Sequence, residues 1–328
     1  MSNAGLTRAP LPWQAQPWQQ ITLARTQQRL AHGLLFVGRE GLGQRHLAEL
    51  FAAVLLCPHV QQDLPCGTCH SCAMMRAGTH PDFLIVEPEK TTIGVDAIRA
   101  LSQLVQETTT QGGYKVVIID PASAMNMNAA NALLKTLEEP TPQTLIILIS
   151  DESLRLPKTI LSRCQKIIFP AASLEVATAW LQDAMEDKQD VSLLLQLAAG
   201  SPLLALAYAK DNLLQLRQQM FTDLQALTMQ KADPLKLAHA WQEHPPLAIL
   251  ALLQSAVMDI VRLQQAGMVL VNTDYLTLWQ GLAARISSEK VFSYLDYLQE
   301  TRRVLLANLT LNKPLWLEDL LIRWVQCF

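Results

Sequence analysis

Four short runs of leucine, isoleucine, valine and phenylalanine, Leu34–Val37, Phe83–Val86, Val116–Ile119 and Leu145–Ile149, are separated by stretches that read as helices or loops. Continuous apolar runs of this length suit strands buried on both faces, and parallel strands need long crossovers between them. The pattern predicts an α/β domain with a mostly parallel sheet. A fifth run, Ile167–Phe169, is closed by Pro170, and the strand signal ends there. From Leu174 onward the apolar residues recur at helical spacing, as in Leu193, Leu194 and Leu197 followed by Leu203, Leu206 and Ala207, with Gly200-Ser201-Pro202 as punctuation. The expected organisation is an α/β domain over 1–170, a small helical domain over 171–209 and an all-helical domain over 210–328. Helices of the last are expected over Leu213–Met229, Leu235–Gln242, Leu247–Gln265, Tyr275–Ile286, Lys290–Leu309 and Leu315–Val325.

The charge balance excludes some functions. With 26 basic and 29 acidic side chains, a net charge of −3 and half its residues apolar, the chain is neither disordered nor polyionic. A pI near 6.2 argues against a stand-alone nucleic-acid binder held by phosphate neutralisation, but leaves open contact with DNA inside a larger assembly. The first thirty residues contain no apolar leader segment, so a cytosolic protein is expected.

The strand Leu34–Val37 runs into Gly38-Arg39-Glu40-Gly41-Leu42-Gly43-Gln44-Arg45 and then a helical pattern through Leu47, Leu50, Phe51 and Val54. This is the spacing of a phosphate-binding loop. A working loop needs a lysine for the β- and γ-phosphates and a hydroxyl for Mg²⁺. Gln44 carries no charge and Arg45 cannot coordinate a cation, so the shape is retained without the chemistry. The plain alternative is a glycine-rich turn with no nucleotide history. Asp120, which ends the run Lys115–Ile119, sits where a second Mg²⁺-holding carboxylate would, although Asp is equally at home as a capping or turn residue.

Four of six cysteines fall within sixteen residues, Cys57, Cys66, Cys69 and Cys72, spaced C-x8-C-x2-C-x2-C; Cys164 and Cys327 are isolated. In a chain read as cytosolic, four thiolates at this spacing fit a closed, structural Zn²⁺ site better than disulfides. An iron–sulfur cluster is the other reading, though the ferredoxin spacing is not completed. His70 and His80 are read as turn or loop residues, because four thiolates already satisfy the metal. Thr159-Ile160-Leu161-Ser162-Arg163-Cys164 leads into the fifth run. Its arginine is either a surface ion-pair partner or a finger whose planar fork meets the γ-phosphate of a neighbouring subunit.

Taken together, these segments resemble the AAA+ clamp-loader subunits of bacterial DNA polymerase III, and among them the one without an ATPase site. The resemblance rests on Leu34–Gly38 with its altered loop, the four-cysteine insertion, Gly78-Thr79-His80-Pro81-Asp82, Gly94–Arg99, Asn131–Pro140, Ser162-Arg163-Cys164 and Ala199-Gly200-Ser201-Pro202. It covers residues 20–205 in detail and the remainder only in length and helical character. The ATPase subunits would carry Lys and Thr at positions 44 and 45, Glu where Pro121 stands, and a sensing Arg near Pro202 and Leu203.

The resemblance implies an AAA+ α/β domain with a zinc insertion over 57–72, a small helical lid and an all-α collar. It makes Arg163 a finger acting in trans, and implies structural Zn²⁺ on Cys57, Cys66, Cys69 and Cys72 with no ATP bound by this chain at Gly38, Gly41, Gly43, Gln44, Arg45 or the relic Asp120. The implied setting is a cytoplasmic hetero-pentamer, at the replisome, with ATPase subunits (tau/gamma) and a delta subunit, acting on a sliding clamp and primer–template DNA and on no membrane. Trp241, Trp279 and Trp316 fit a collar or an ordinary core. Competing hypotheses are an active ATPase subunit of the same loader and a zinc-dependent nucleic-acid-binding protein.

Overall fold

The computed structural model describes residues 9–88, 91–110, 113–151, 156–185, 190–265, 270–306 and 312–328. The first eight residues, part of the segment read for a leader, and residues 307–309, the end of the expected helix Lys290–Leu309, lie outside the described residues. The chain divides into two compact units, Met1–Trp180 with Ser201–Leu203, and Leu181–Gly200 with Leu204–Phe328.

The first unit is built on five parallel strands, β1 (Gly33–Val37), β2 (Phe83–Val86), β3 (Lys115–Ile119), β4 (Thr144–Ser150) and β5 (Gln165–Ile168), in the order β2-β3-β4-β1-β5. Alternation along the strands sends residues to two separate cores. Leu34, Phe36, Val116, Ile118, Leu145 and Ile147 pack with α1 (Ala15–Thr26) and α2 (Gln44–Leu56), through Ile21, Leu47 and Phe51. Leu35, Val117, Ile119, Ile146 and Leu148 face α4 (Val95–Gln106) and α5 (Met127–Glu138), through Ile98, Leu101, Leu133 and Leu137. The result is the helix–sheet–helix layering that the apolar runs predict, and α3 (His70–Ala77) lies in the cysteine insertion between α2 and β2. Asn126 starts α5 as a side-chain cap, its Oδ1 accepting from the Ala129 N–H at 2.8 Å. A four-residue turn of helix, α6 (Lys158–Leu161), leads towards β5.

Three helices occupy the region after β5, α7 (Leu174–Ala184), α8 (Val191–Leu197) and α9 (Pro202–Lys210). The second unit continues through α10 (Leu213–Thr228), α11 (Pro234–Trp241), α12 (Pro246–Gln264), α13 (Leu276–Ala283), α14 (Ser288–Leu306) and α15 (Lys313–Cys327). Pro234, Pro246 and Pro314 sit in the first turns of their helices, where a missing N–H costs nothing. Trp241, Trp279 and Trp316 are all buried in one core with Phe221, Leu253 and Leu320, so these three tryptophans are core residues. By length and composition α12 is apolar enough to cross a membrane, yet half of that window is buried inside the folded unit. It is its central core helix.

Arg217 of α10 is a buried cation in this unit. Its Nε donates to Asn272 Oδ1 at 2.8 Å, Nη1 to Asp274 Oδ2 at 2.9 Å, and the guanidinium lies over the rings of Phe221 and Tyr275. Asn272 in turn donates its side-chain N–H to the fully buried Asp259 at 2.8 Å. Arg217→Met should therefore cost about 1–3 kcal/mol in chemical unfolding, because Asn272 loses its donor. Burial raises the Asp274 carboxyl, but the hydrogen bond and charge of Arg217 outweigh this and hold it below its usual value. The stabilisation is thus present above the ordinary carboxylate range and lost as pH falls through the lowered pKa, a loss the methionine variant should not show.

Candidate functional site

The loop after β1 keeps the geometry of a phosphate cradle. Gly41 and Gly43 have positive φ of 82° and 79°, and Gly43 caps α2. A side chain at Gly38 would come within 2.7 Å of Phe169 Cβ, so that position admits only glycine without rearrangement. The carbonyls of the loop are bonded by side chains of its own chain. Gln44 is buried, and its Nε2 donates to Gly38 O at 2.6 Å and Arg39 O at 3.0 Å. Gln14 is wholly buried and donates to Leu42 O at 2.9 Å and Gly43 O at 2.8 Å. Trp13 Nε1 adds a bond to Leu42 O at 2.9 Å. The Leu203 N–H reaches Gly41 O at 3.1 Å, and the Leu203 side chain lies against Gly43.

Arg45 occupies the hydroxyl position. Its Nε donates to Glu49 at 2.8 Å, and its Nη1 bonds Glu87, just past β2, and Asp120, just past β3, the latter at 3.4 Å. Asp120 is therefore neither a cap nor a bare turn residue. Burial raises its carboxyl, with Arg45 opposing. Burial of Arg45 favours its neutral form, but hydrogen bonds to Glu87 and Glu49 override this and raise its pKa.

Of Glu49, Glu87 and Gln14, which sequence reasoning missed, only Glu49 left a signal. Glu49 stands four residues after Arg45 on the same helix face, a spacing that signals a pair. Glu87 carries no such signal, and neither does Gln14, whose acceptors lie 28 and 29 residues further on.

The sequence-predicted metal ligands do come together. All four Sγ atoms of Cys57, Cys66, Cys69 and Cys72 lie within 4.8 Å of one another, with Cys57–Cys69 at 3.9 Å and Cys66–Cys72 at 4.0 Å. A tetrahedral ion with Zn–S bonds of about 2.3 Å sets its sulfurs about 3.8 Å apart, so the cluster can hold such an ion. Backbone N–H groups of Cys66, Cys69 and Cys72 each point at a cluster sulfur at 3.4 Å. N–H donors of Thr68 and then Cys69 draw the Cys66 thiol down to about 5, while burial pushes Cys72 up to about 12. His80 is not among the ligands. Its Nδ1 accepts from the Asp82 N–H at 3.1 Å, which leaves Nε2 to donate to Ser71 Oγ at 3.0 Å, and Ser71 donates to Leu56 O at 2.7 Å. This chain of bonds joins α2, α3 and the approach to β2.

Arg163 lies between α6 and β5, a third exposed. Nη1 donates to Thr159 O at 2.8 Å and Nη2 to Glu138 Oε1 at 2.5 Å. A side chain at Gly33, the first residue of β1, would lie 3.3 Å from Arg163 O, whereas the phosphate loop begins beyond Val37 at the other end of that strand. Arg163 and the loop are thus separated by the length of β1, about 15 Å. Ser162 ends α6, donating to Thr159 O at 3.0 Å, and Cys164 is buried in the core beside α5.

Comparison with known proteins gives a consistent picture. Residues 13–173 match the family described as DNA polymerase III, delta subunit, and residues 211–326 the family described as DNA polymerase III, delta subunit, C terminal. DNA polymerase III subunit delta-prime of Pseudomonas aeruginosa is 37% identical over 323 residues, 96% of this chain and 97% of that protein. The subunit of the same name from Escherichia coli K12 is 33% identical over 315 residues, 95% of this chain and 94% of that one. A crystal structure of a DNA polymerase III gamma-subunit-related protein from Thermotoga maritima, 20% identical, superposes with a TM-score of 0.50 over 94% of this chain and 99% of its own. That likeness shows a shared fold, an α/β domain followed by helices.

Proposed function

Because the chain belongs to the delta-prime subunits of DNA polymerase III, clamp-loader components of DNA replication, we propose that it acts in the loader without a nucleotide of its own and completes the ATP site of an adjacent subunit. The observation that carries this reading is the separation of Arg163 from the phosphate loop along β1. An arginine at one end of the parallel strands cannot serve a loop at their other end, so a phosphate it meets belongs to another chain. The loop itself offers neither lysine nor hydroxyl, and Gln44 and Arg45 are engaged with protein atoms.

In this proposal Arg163 is the trans-acting finger, Zn²⁺ sits on the four cysteines in a structural role, and the domains are an α/β domain over 1–170, a lid over 171–209 and a collar over 210–328. The partners are the tau/gamma ATPase subunits and a delta subunit in a cytoplasmic hetero-pentamer that places a sliding clamp on primer–template DNA. The four-thiolate shell leaves no open position, which favours a structural over a catalytic metal.

The test is calorimetry with Mg-ATP on the isolated chain, followed by reconstitution. No binding at micromolar affinity is expected, together with formation of a complex with the tau/gamma and delta subunits. Micromolar binding lost on altering Gly43 would instead identify an active ATPase subunit, and failure to enter the complex would remove the clamp-loader reading.

A further inference from the structure

We infer that Arg45 is a built-in cation, taking in this chain the place that a divalent ion takes between a phosphate loop and the strand ends beside it. The inference rests on the reading that this loop takes no nucleotide. Its basis is which elements the guanidinium joins. Arg45 is the second residue of α2, and through Glu49, Glu87 and Asp120 it ties the start of that helix to the ends of β2 and β3. These are the elements that a hydroxyl-and-carboxylate cation site spans, since one donor comes from the helix start and another from the end of β3. Three carboxylates gather on one guanidinium, so removing Arg45 would leave like charges close together without the cation that joins them.

The neighbouring position behaves in the same way. A phosphate-loop lysine is replaced by Gln44, whose amide closes the loop by bonding the Gly38 and Arg39 carbonyls. The loop is consequently held from within by side-chain bonds to its carbonyls, and on this inference its conformation does not depend on nucleotide concentration.

The full chain with its metal cluster intact tests this, in three forms: unaltered, Arg45→Thr and Arg45→Lys. The probes are Mg²⁺ and Mn²⁺ alone, and the readouts are thermal melting and amide hydrogen exchange over residues 38–45 and 116–120. The unaltered chain should melt indifferently to either ion. Arg45→Thr should melt about 3–6 °C lower, exchange faster at the loop, and recover most of both losses in millimolar Mg²⁺ or Mn²⁺ as the hydroxyl and freed carboxylates take the ion. Arg45→Lys should lie between the two and ignore both ions. An Arg45→Thr chain that is destabilised but indifferent to both ions would make Arg45 an ordinary ion pair and overturn the inference. So would one that melts and exchanges like the unaltered chain.

If Arg45→Thr does not fold, exchange in the unaltered chain decides: loop amides protected equally with and without Mg-ATP support the inference, and amides exchanging as in an open loop overturn it. Mg-ATP binding separates the two readings. An unaltered chain that binds it refutes the nucleotide-free reading, whereas one that does not, paired with a cation-indifferent Arg45→Thr, refutes only the role of Arg45.

Discussion

Replacing Arg163 with alanine is expected to leave the chain folded and its cysteine cluster intact, while cutting ATP hydrolysis by the loader assembled around it. The side chain makes only a partly exposed pair with Glu138 and bonds to Thr159 O and Ser162 Oγ, contacts worth at most about 1 kcal/mol to the fold. At a phosphoryl-transfer site the same guanidinium is worth far more, with finger contacts contributing factors of about 10³–10⁵ to a single site. In the proposed hetero-pentamer, where other ATP sites would keep fingers of their own, bulk turnover should fall only severalfold. Clamp loading should fall further if the sites act in order. Glu138→Gln serves as the control: it removes the partner that holds the guanidinium in the free chain, and hydrolysis should persist or rise. An Arg163→Ala complex with unchanged hydrolysis and loading at limiting ATP would return this residue to the role of a surface ion pair.

Loss of the metal should have the other large effect. Freshly purified, reduced protein is expected to carry one zinc per chain by elemental analysis, and Cys69→Ser to carry none. Cys69 both belongs to the cluster and caps α3, its Sγ accepting from the Cys72 N–H at 3.4 Å. Structural zinc contributes about 10–16 kcal/mol of apparent binding energy to small zinc peptides, and residues 58–69 include little apolar core of their own. The variant should be cut by protease between residues 58 and 68 where the unaltered chain resists, with the sheet unaffected. Iron in place of zinc, or a metal-free protein with the same protease resistance, would refute the structural zinc.

The strands were readable because parallel strands covered on both faces are apolar throughout. Phe83–Val86, at one edge, agrees residue for residue; the three central strands each start one residue earlier, at Gly33, Lys115 and Thr144, and β4 also ends one residue later, at Ser150. Lys115 escapes an apolar-run criterion because its aliphatic stem is buried while its ammonium reaches the Leu104 and Glu107 carbonyls. The edge strand β5 was misplaced: it begins at Gln165 and ends at Ile168, since an edge strand can expose Gln165, Lys166 and Ile168 to solvent. The cysteine cluster was legible because its ligands are local in sequence. The internal bonding of the loop was not, because Gln14 and Glu87 reach it only through the fold, from 28 and 42 residues away, whereas Asp120 was visible at the end of its strand.

A parallel sheet has a direction, and so does a molecule with a donor at one end of a strand and a loop at the other. If Arg163 acts as proposed, bodies of this kind join head to tail, in contacts that close into rings or run on as filaments. Each junction between two such bodies makes one working site, provided that the loop facing it is open. A member whose loop lacks the lysine and hydroxyl, with Gln44 and Arg45 in their places, would contribute a head and no working tail. Placed in a ring it marks where the series of sites stops, and the ring then has fewer sites than members and a built-in seam.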